Sequence, residues 1–513
     1  MLFERVKPLD QILATAEKRS LKRQLGAFSL TMLGIGAIIG TGIFVLTAVA
    51  ANKAGPGMMY SFVIAGIVCA LTALMYSEIA AMVPVSGSAY TYSYAVLGEL
   101  IAWMVGWALI LEYAVAAGAV AVGWSGYASG FLAHHGLSLP DALTAGPFWV
   151  EQMNNGAVVH MVDGVTHKGG FNLIAFLLSL LITVLLVLGT SKSAKFTAAL
   201  VLVKIVALTV FIALAFPVVN QANFSPMLPN GWGTPLSGVG VLGAAASIFF
   251  AYVGFDAVST AAEETKNPNR NIPIGLIGSL GICTVFYLLV SYAAVGATGA
   301  QPGGDLSQSK EPLAFVLRSI GHPLVGDAVG WAAIIALPSV VLMMIFGQTR
   351  ILFTMSRDGL LPEKLSRVHP RFRTPHVVTW LTGIAVSLFA AMFPVDILAD
   401  ISNAGTLFAF FTVALGVMIL RRTEPNRPRP FRTPLVWIVG PLALAGCVLL
   451  FFSLGWNPTI KFFCAWAVIG LAVYFLYARR RSHMAPGNEN LLHGIAPPLS
   501  PDPLVHEGPD PGP

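Results

Sequence analysis

Apolar residues gather along this chain into twelve stretches, at about 28–50, 58–83, 99–132, 171–190, 195–217, 240–262, 273–298, 326–350, 376–394, 397–420, 434–454 and 458–478. A helix needs roughly 20 apolar residues to cross the ~30 Å hydrocarbon core of a bilayer, so each stretch has the length of one span. The pattern shows neither the alternation of a half-buried strand nor the single stripe of a soluble helix. It predicts an all-α polytopic membrane protein with 12 transmembrane helices. The third stretch is long for a span, which predicts a tilted helix or one that projects from the bilayer. Polar, basic residues fill positions 1–27, and no short apolar stretch with a cleavage site is found there, so no removable signal peptide is expected. Residues 481–513 are rich in Pro, Gly and Asn without apolar periodicity and are expected to form a disordered cytoplasmic tail.

Composition narrows the class further. Of 513 residues, 56% are hydrophobic and 11% charged, with a mean hydropathy of +0.75. Soluble domains carry about 25% charge, so too few charged side chains exist to cover this chain in water. Cys69, Cys283, Cys447 and Cys464 are scattered through apolar stretches without any CxxC or Cys/His spacing. Neither a disulfide framework nor a metal site is indicated, and no cofactor motif occurs.

The distribution of charge sets the expected topology. With both termini cytoplasmic, the inner segments hold 24 of the 30 Lys and Arg, the outer loops hold five, and Lys204 is left inside a span. This strong positive-inside bias also accounts for the basic clusters, which face anionic headgroups and not nucleic acid. The longest outer connections are 133–170 and 218–239, and the second carries the sequon Asn223-Phe224-Ser225.

Two stretches depart from the Leu, Val, Ala and Ile pattern. The first contains Gly34, Gly36, Gly40 and Gly42 within nine residues, ending Gly40-Thr41-Gly42-Ile43-Phe44. Each glycine costs a helix about 1 kcal/mol relative to alanine. The sixth reads Phe249-Phe250-Ala251-Tyr252-Val253-Gly254-Phe255-Asp256, with an acid at membrane depth. Gly36-xxx-Gly40 alone could equally be a helix-packing face. The spacing GxGxxxG follows no strand, which excludes a dinucleotide fingerprint. The two segments lie five spans apart and so run in opposite directions. Spans 1–5 (28–217) and 6–10 (240–420) therefore read as an inverted repeat, with 433–480 as an appended pair. Interrupted segments at matching positions of two halves point to a transporter's substrate site, because bare backbone at this depth is tolerated where it lines a cavity. Freed N–H groups suit an anionic group and freed C=O groups an ammonium, so a zwitterion fits both.

These segments resemble the amino acid–polyamine–organocation superfamily. The resemblance rests on the first segment and on Gly254-Phe255-Asp256 followed by Glu263-Glu264 and Pro268 to Pro273. Gly347 to Arg350, Ser356-Arg357-Asp358-Gly359 and Gly405 with Arg421-Arg422 are similar to the cationic amino acid transporter family and its bacterial relatives. Covering roughly 20–480, the resemblance implies a LeuT-type 5+5 inverted-repeat fold, with helices 1 and 6 unwound at mid-membrane, and transport of L-amino acids across the plasma membrane, a bacterial inner membrane. By position it implies that Thr41 and Gly42 meet the α-carboxylate. The carbonyls of Ile38, Phe250 and Val253 meet the α-amine, with Phe250 as an aromatic gate. Gly36, Gly40, Gly254 and Asp256 are the helix-break and gating candidates.

Ionisable groups at membrane depth are costly and usually functional. Lys204 lies nine residues past Lys195, about 13 Å along a helix and near the midplane. It matches the fifth-span lysine of proton-coupled relatives, so the expected coupling ion is the proton, with Glu112 either pairing with Lys204 or facing the substrate. Asp256 and, more weakly, Asp400 complete the set, whereas Glu78 lies near enough to the inner face to snorkel. Glu263, Glu264 and Arg270 are placed at the cytoplasmic mouth, near Arg350 and Arg357. Symport is favoured, with exchange without net proton flow as the alternative. An intramembrane enzyme is disfavoured, because all ten histidines lie in loops or tails and no HExxH or GxSxG motif occurs. The expected selectivity is broad for neutral amino acids with room for cationic ones. A small accessory membrane subunit is compatible with this reading but leaves no mark in the sequence.

Overall fold

In hydrocarbon every peptide group must be satisfied within the protein, and a chain of separate apolar stretches does so by coiling each one into a helix. The structure, a computed structural model, describes residues 5–7, 25–84, 88–148, 169–189, 194–260, 265–372 and 374–485, with four short strands between 153 and 167. The first apolar stretch gives α1 (Ala27–Ile38), α2 (Thr41–Phe44) and α3 (Leu46–Ala54). Next come α4 (Met58–Met82), α5 (Ser88–Val96), α6 (Glu99–His134), α7 (Leu173–Leu188) and α8 (Ala194–Ala215). The sixth stretch gives α9 (Gly240–Ile248), a 3-10 turn (Phe249–Tyr252) and α10 (Ala257–Thr260). Then follow α11 (Pro268–Thr298), α12 (Pro312–Ser319), α13 (Pro323–Arg357), α14 (His376–Met392), α15 (Val395–Thr423), α16 (Val436–Ser453) and α17 (Lys461–Val473). Proline opens α11, α12 and α13, where its missing N–H removes no helical bond. Strands Met153–Asn154 and Ala157–Val158 form one antiparallel hairpin and His160–Val162 and Val165–His167 another, both in the connection after α6.

Among the described residues eight helices are long and apolar enough to cross a bilayer, and four shorter apolar helices accompany them. Two of the four, Ala27–Ile38 and Gly240–Tyr252, are short because the glycine-bearing segments interrupt them. The long third stretch is one continuous 36-residue helix, α6, and it is the axis of the protein. In its most apolar part 83% of residues are buried, and it packs along α13 and α15. The corresponding shares for Val436–Ser453 and Trp456–Arg481 are 33% and 28%, so these two helices flank the bundle. Helix α11 packs on both α1 and α4.

Several polar groups sit differently from the expectation. Glu78 does not snorkel: it is buried, forked by Arg421 at 2.7 and 2.8 Å, and it accepts from the Thr433 N–H. Arg429 approaches the same carboxylate at 3.2 Å. Residues 482–485 pack against the helices, with Ser482 and His483 buried, and the rest of the expected tail lies outside the described residues. Glu263 and Glu264 likewise lie outside them. Cys69, Cys283 and Cys447 are buried and free, and Cys464 is free and exposed.

Candidate functional site

Helix α1 stops at Ile38. Ile39 (φ −70°, ψ 100°) and Gly40 (φ −152°, ψ −146°) leave helical geometry before α2 begins at Thr41. In the sixth stretch the turn Phe249–Tyr252 is followed by extended Val253 (φ −62°, ψ 140°) and by Gly254 at φ +113°. A side chain at that φ is strained, and a Cβ on Gly254 would stand 3.0 Å from the Ala37 backbone. The two interruptions meet directly. A Cβ on Gly42 would lie 2.2 Å from Ala251 Cα, so glycine is what allows the broken segments to touch.

Where they meet lies a cavity whose empty space, open mouth included, is about 260 Å³. Ala37, Ile38, Gly40, Thr41 and Gly42 line it from the first segment and Phe250 and Val253 from the sixth. Val120 of α6 and Val340 and Met344 of α13 close it. Ile38, Thr41, Gly42, Phe250 and Val253, the residues assigned to the ligand from the sequence, thus share one wall. As the opening residues of a helix, Thr41 and Gly42 have N–H groups with no acceptor one turn earlier. Thr41 Oγ1 is buried without a hydrogen-bond partner among the described residues. An unpaired buried hydroxyl costs about 1–3 kcal/mol, which a polar ligand group can offset. On the acceptor side, Ile38 O takes the Tyr287 hydroxyl at 2.9 Å and Phe250 O takes the Val253 N–H at 3.2 Å. A carbonyl oxygen has two lone pairs, so each keeps one acceptor site. The cavity therefore offers donors on one rim, acceptors on the other and apolar side chains elsewhere.

Lys204 of α8 is 1% exposed, and its ammonium donates to Gly36 O at 2.9 Å. No carboxylate lies within ion-pair distance of it among the described residues. Glu112 is accordingly not its partner. That side chain is buried beside Gly405 of α15, with Oε2 lacking a hydrogen-bond partner among the described residues. Asp256 is buried too, accepts from the Tyr113 hydroxyl at 3.4 Å, and receives the Ser259 N–H and Oγ–H on its backbone carbonyl. Gly36 and Gly254 stand behind the cavity wall, Gly36 tied to Lys204 and Gly254 against Ala37. Asp400 has a different setting from the other acids. Lys53, at the end of α3, bonds Asp400 Oδ2 at 2.8 Å and Ser247 Oγ of α9 at 2.5 Å, joining three elements.

Sequence reasoning missed five residues of this neighbourhood, among them Ala37 between the glycines of the first segment. Val120, Val340 and Met344 are ordinary span residues that only the fold brings to the cavity. Tyr287, fully buried on α11, carried one weak signal: a buried tyrosine hydroxyl needs a partner.

Residues 25–474 match the amino acid permease family model. The chain is 46% identical over 486 residues to the branched-chain amino acid permease BcaP of Bacillus subtilis (strain 168), covering 94% of this chain and 99% of that one. It is 42% identical to the methylthioribose transporter of the same organism, covering 93% and 98%. Cationic amino acid transporter 9, chloroplastic, of Arabidopsis thaliana is 36% identical, covering 83% and 71%. These relatives are transporters and not enzymes. The chain belongs to the amino acid permease family, within the amino acid–polyamine–organocation superfamily, and is a multi-pass membrane protein of amino acid transport.

Proposed function

We propose that this protein imports neutral, apolar L-amino acids across the plasma membrane by proton symport. In this reading twelve spans form a LeuT-type inverted repeat of five and five with a further pair, and both termini are cytoplasmic. The carrying observation is the cavity between two touching helix breaks, which offers N–H groups and an orphaned hydroxyl on one side and carbonyls on the other. The α-carboxylate binds at Thr41 and Gly42, where the opening of a helix favours negative charge. The ammonium binds at the carbonyls of Ile38, Phe250 and Val253. Phe250 covers the ligand.

The side chain of the substrate meets Val120, Val340 and Met344, and among the described residues no acid lines the cavity. A guanidinium or second ammonium there would be desolvated without a partner, at a cost of several kcal/mol. This favours aliphatic substrates, in keeping with the branched-chain amino acids for which the Bacillus permease is named. The methylthioribose relative shows that overall identity of 42% does not fix the ligand, so the cavity wall carries the substrate argument.

Lys204 supplies the coupling. Its ammonium holds the last turn of α1 through Gly36 O, with no acid among the described residues to fix its charge. Losing the proton removes that charge-assisted bond and frees α1, so proton release and movement of the first segment are linked. The test is uptake of radiolabelled L-leucine into proteoliposomes under an acid-outside gradient with the membrane potential clamped. Accumulation is expected in the unmodified protein. Lys204→Gln should lose it while retaining leucine–leucine exchange. Accumulation undiminished in Lys204→Gln would overturn the coupling role, and exchange that ignores the gradient in the unmodified protein would identify an exchanger.

A further inference from the structure

Tyr287 joins the two helix breaks. Its hydroxyl lies 2.9 Å from Ile38 O and 2.8 Å from Ala251 O. The first carbonyl ends α1 and the second belongs to the turn before Val253, so both come from backbone that interruption deprives of helical donors. The ring is held in place from two sides. Phe62 of α4 packs at 6.0 Å and Tyr252 at 5.3 Å between centroids, and Tyr252 is itself bonded to Phe62 O at 3.0 Å. The hydroxyl, carried by α11, is thus held between α4 and the turn of the sixth segment.

A phenol has one hydrogen and here faces two acceptors. It can satisfy either carbonyl but not both at full strength. Ile38 lines the cavity, and Ala251 is absent from its wall. We infer that Tyr287 is a positioning residue for the substrate ammonium. In the empty site its proton is shared between the two carbonyls. When an ammonium with three donors arrives and bonds Ile38 O, the phenol proton turns wholly to Ala251 O, and every acceptor is then satisfied. Without the hydroxyl, Ala251 O is left bare in the loaded site and Ile38 O loses the group that holds it at the rim. The inference rests on the amino acid reading above and deepens it by separating recognition of the ammonium from that of the carboxylate.

The test compares L-leucine with its α-hydroxy acid, which keeps the carboxylate and side chain and lacks the ammonium. Both are measured as competitors of radiolabelled leucine in proteoliposomes. Tyr287→Phe should weaken leucine about tenfold, as expected when a buried carbonyl is left without its donor, and leave the hydroxy acid within about twofold. The dependence of uptake on pH should stay as in the unmodified protein, because Lys204 is untouched. Equal losses for both competitors, or no change in either, would overturn the positioning role. Tyr287→4-aminophenylalanine keeps a donor and should keep the unmodified ratio even where Tyr287→Phe fails to accumulate in the membrane; loss of the ratio in that variant also overturns the inference. If the unmodified protein recognises neither compound, the amino acid reading fails first, and that outcome is distinct from a change confined to position 287.

Discussion

Thr41 illustrates how much one atom can carry. Its Oγ1 is buried and, among the described residues, unpaired, so the empty protein bears a desolvation cost at the point where the proposed carboxylate arrives. Valine has nearly the same shape without the hydroxyl. Thr41→Val should therefore raise the melting temperature of the ligand-free protein, because the orphaned group is gone. It should also lower affinity for a neutral amino acid, since a hydrogen bond to a charged group contributes about 1.5–3 kcal/mol, roughly a tenfold or larger rise in KM. Melting curves with and without leucine measure both signs together. A lower melting point with unchanged KM would mean that the hydroxyl faces a hidden protein partner and not the ligand. Gly42 is the complementary case, a residue that matters for what it lacks. A Cβ there would come within 2.2 Å of Ala251 Cα, and the sequence could flag the glycine but not the atom it makes room for.

At the level of elements, the helices and their interruptions were legible because each depends on local composition. Apolar stretches predict spans, and clustered glycines or an acid at depth predict breaks. Helix α5 escaped notice because Ser88-Ala-Tyr-Thr-Tyr-Ser-Tyr is too polar to read as a span, although Tyr90, Tyr92 and Tyr94 are all buried. The partners of Lys204 and Asp400 were not legible, since pairing across helices depends on rotation and depth that hydropathy does not encode. Lys53 shows the consequence. Counted by position it is an outer-loop charge, but in the fold it ties α3 to Ser247 of α9 and Asp400 of α15. Lys53 and Asp400 side chains are only 17% and 9% exposed, so screening by water is slight. Removing one partner of a buried pair costs about 3–5 kcal/mol because the other charge is stranded, whereas replacing both by apolar groups is often nearly neutral. Lys53→Met should lower the melting temperature markedly, and Lys53→Met with Asp400→Leu should restore most of it. If the double variant is no more stable than the single one, Asp400 has a second role that the pair does not describe.

Across the whole molecule, Arg5 meets the chain just beyond α17, and Lys7 the residue after α13, on the side where the basic clusters lie. Arg5 bonds Glu99 and the Arg479 carbonyl, each at 2.9 Å, and Lys7 bonds Asp358 at 3.1 Å. Glu99 opens α6 and also accepts from Tyr94 at 3.1 Å, Tyr474 at 3.0 Å and Ser482 at 2.5 Å, while Asp358 follows α13 and accepts from Tyr90 at 2.8 Å. One buried carboxylate thus gathers donors from the N-terminal segment, α5 and the chain beyond α17. The start of α1 is tied as well, through the Lys266 N–H to Leu25 O at 2.8 Å. In the proposed cycle the inner end of α1 must swing to release substrate, so these bonds oppose inward opening. Removing Glu99 would strand several donors and damage the fold, so the informative change is on the basic side. Arg5→Ala with Lys7→Ala removes two part-exposed cations and leaves Glu99 its three hydroxyl donors. In a background where exposed Cys464 is replaced by alanine, a cysteine introduced for Ala37, on the cavity wall, should react several-fold faster with a cytoplasmic-side thiol reagent once Arg5 and Lys7 are gone. High salt should change labelling little in either protein, because both pairs are largely buried, with side chains 1–24% exposed, and partly buried pairs are screened only weakly. If labelling rates match while the melting temperature falls, the terminal ion pairs anchor the fold and take no part in the opening of the inner face.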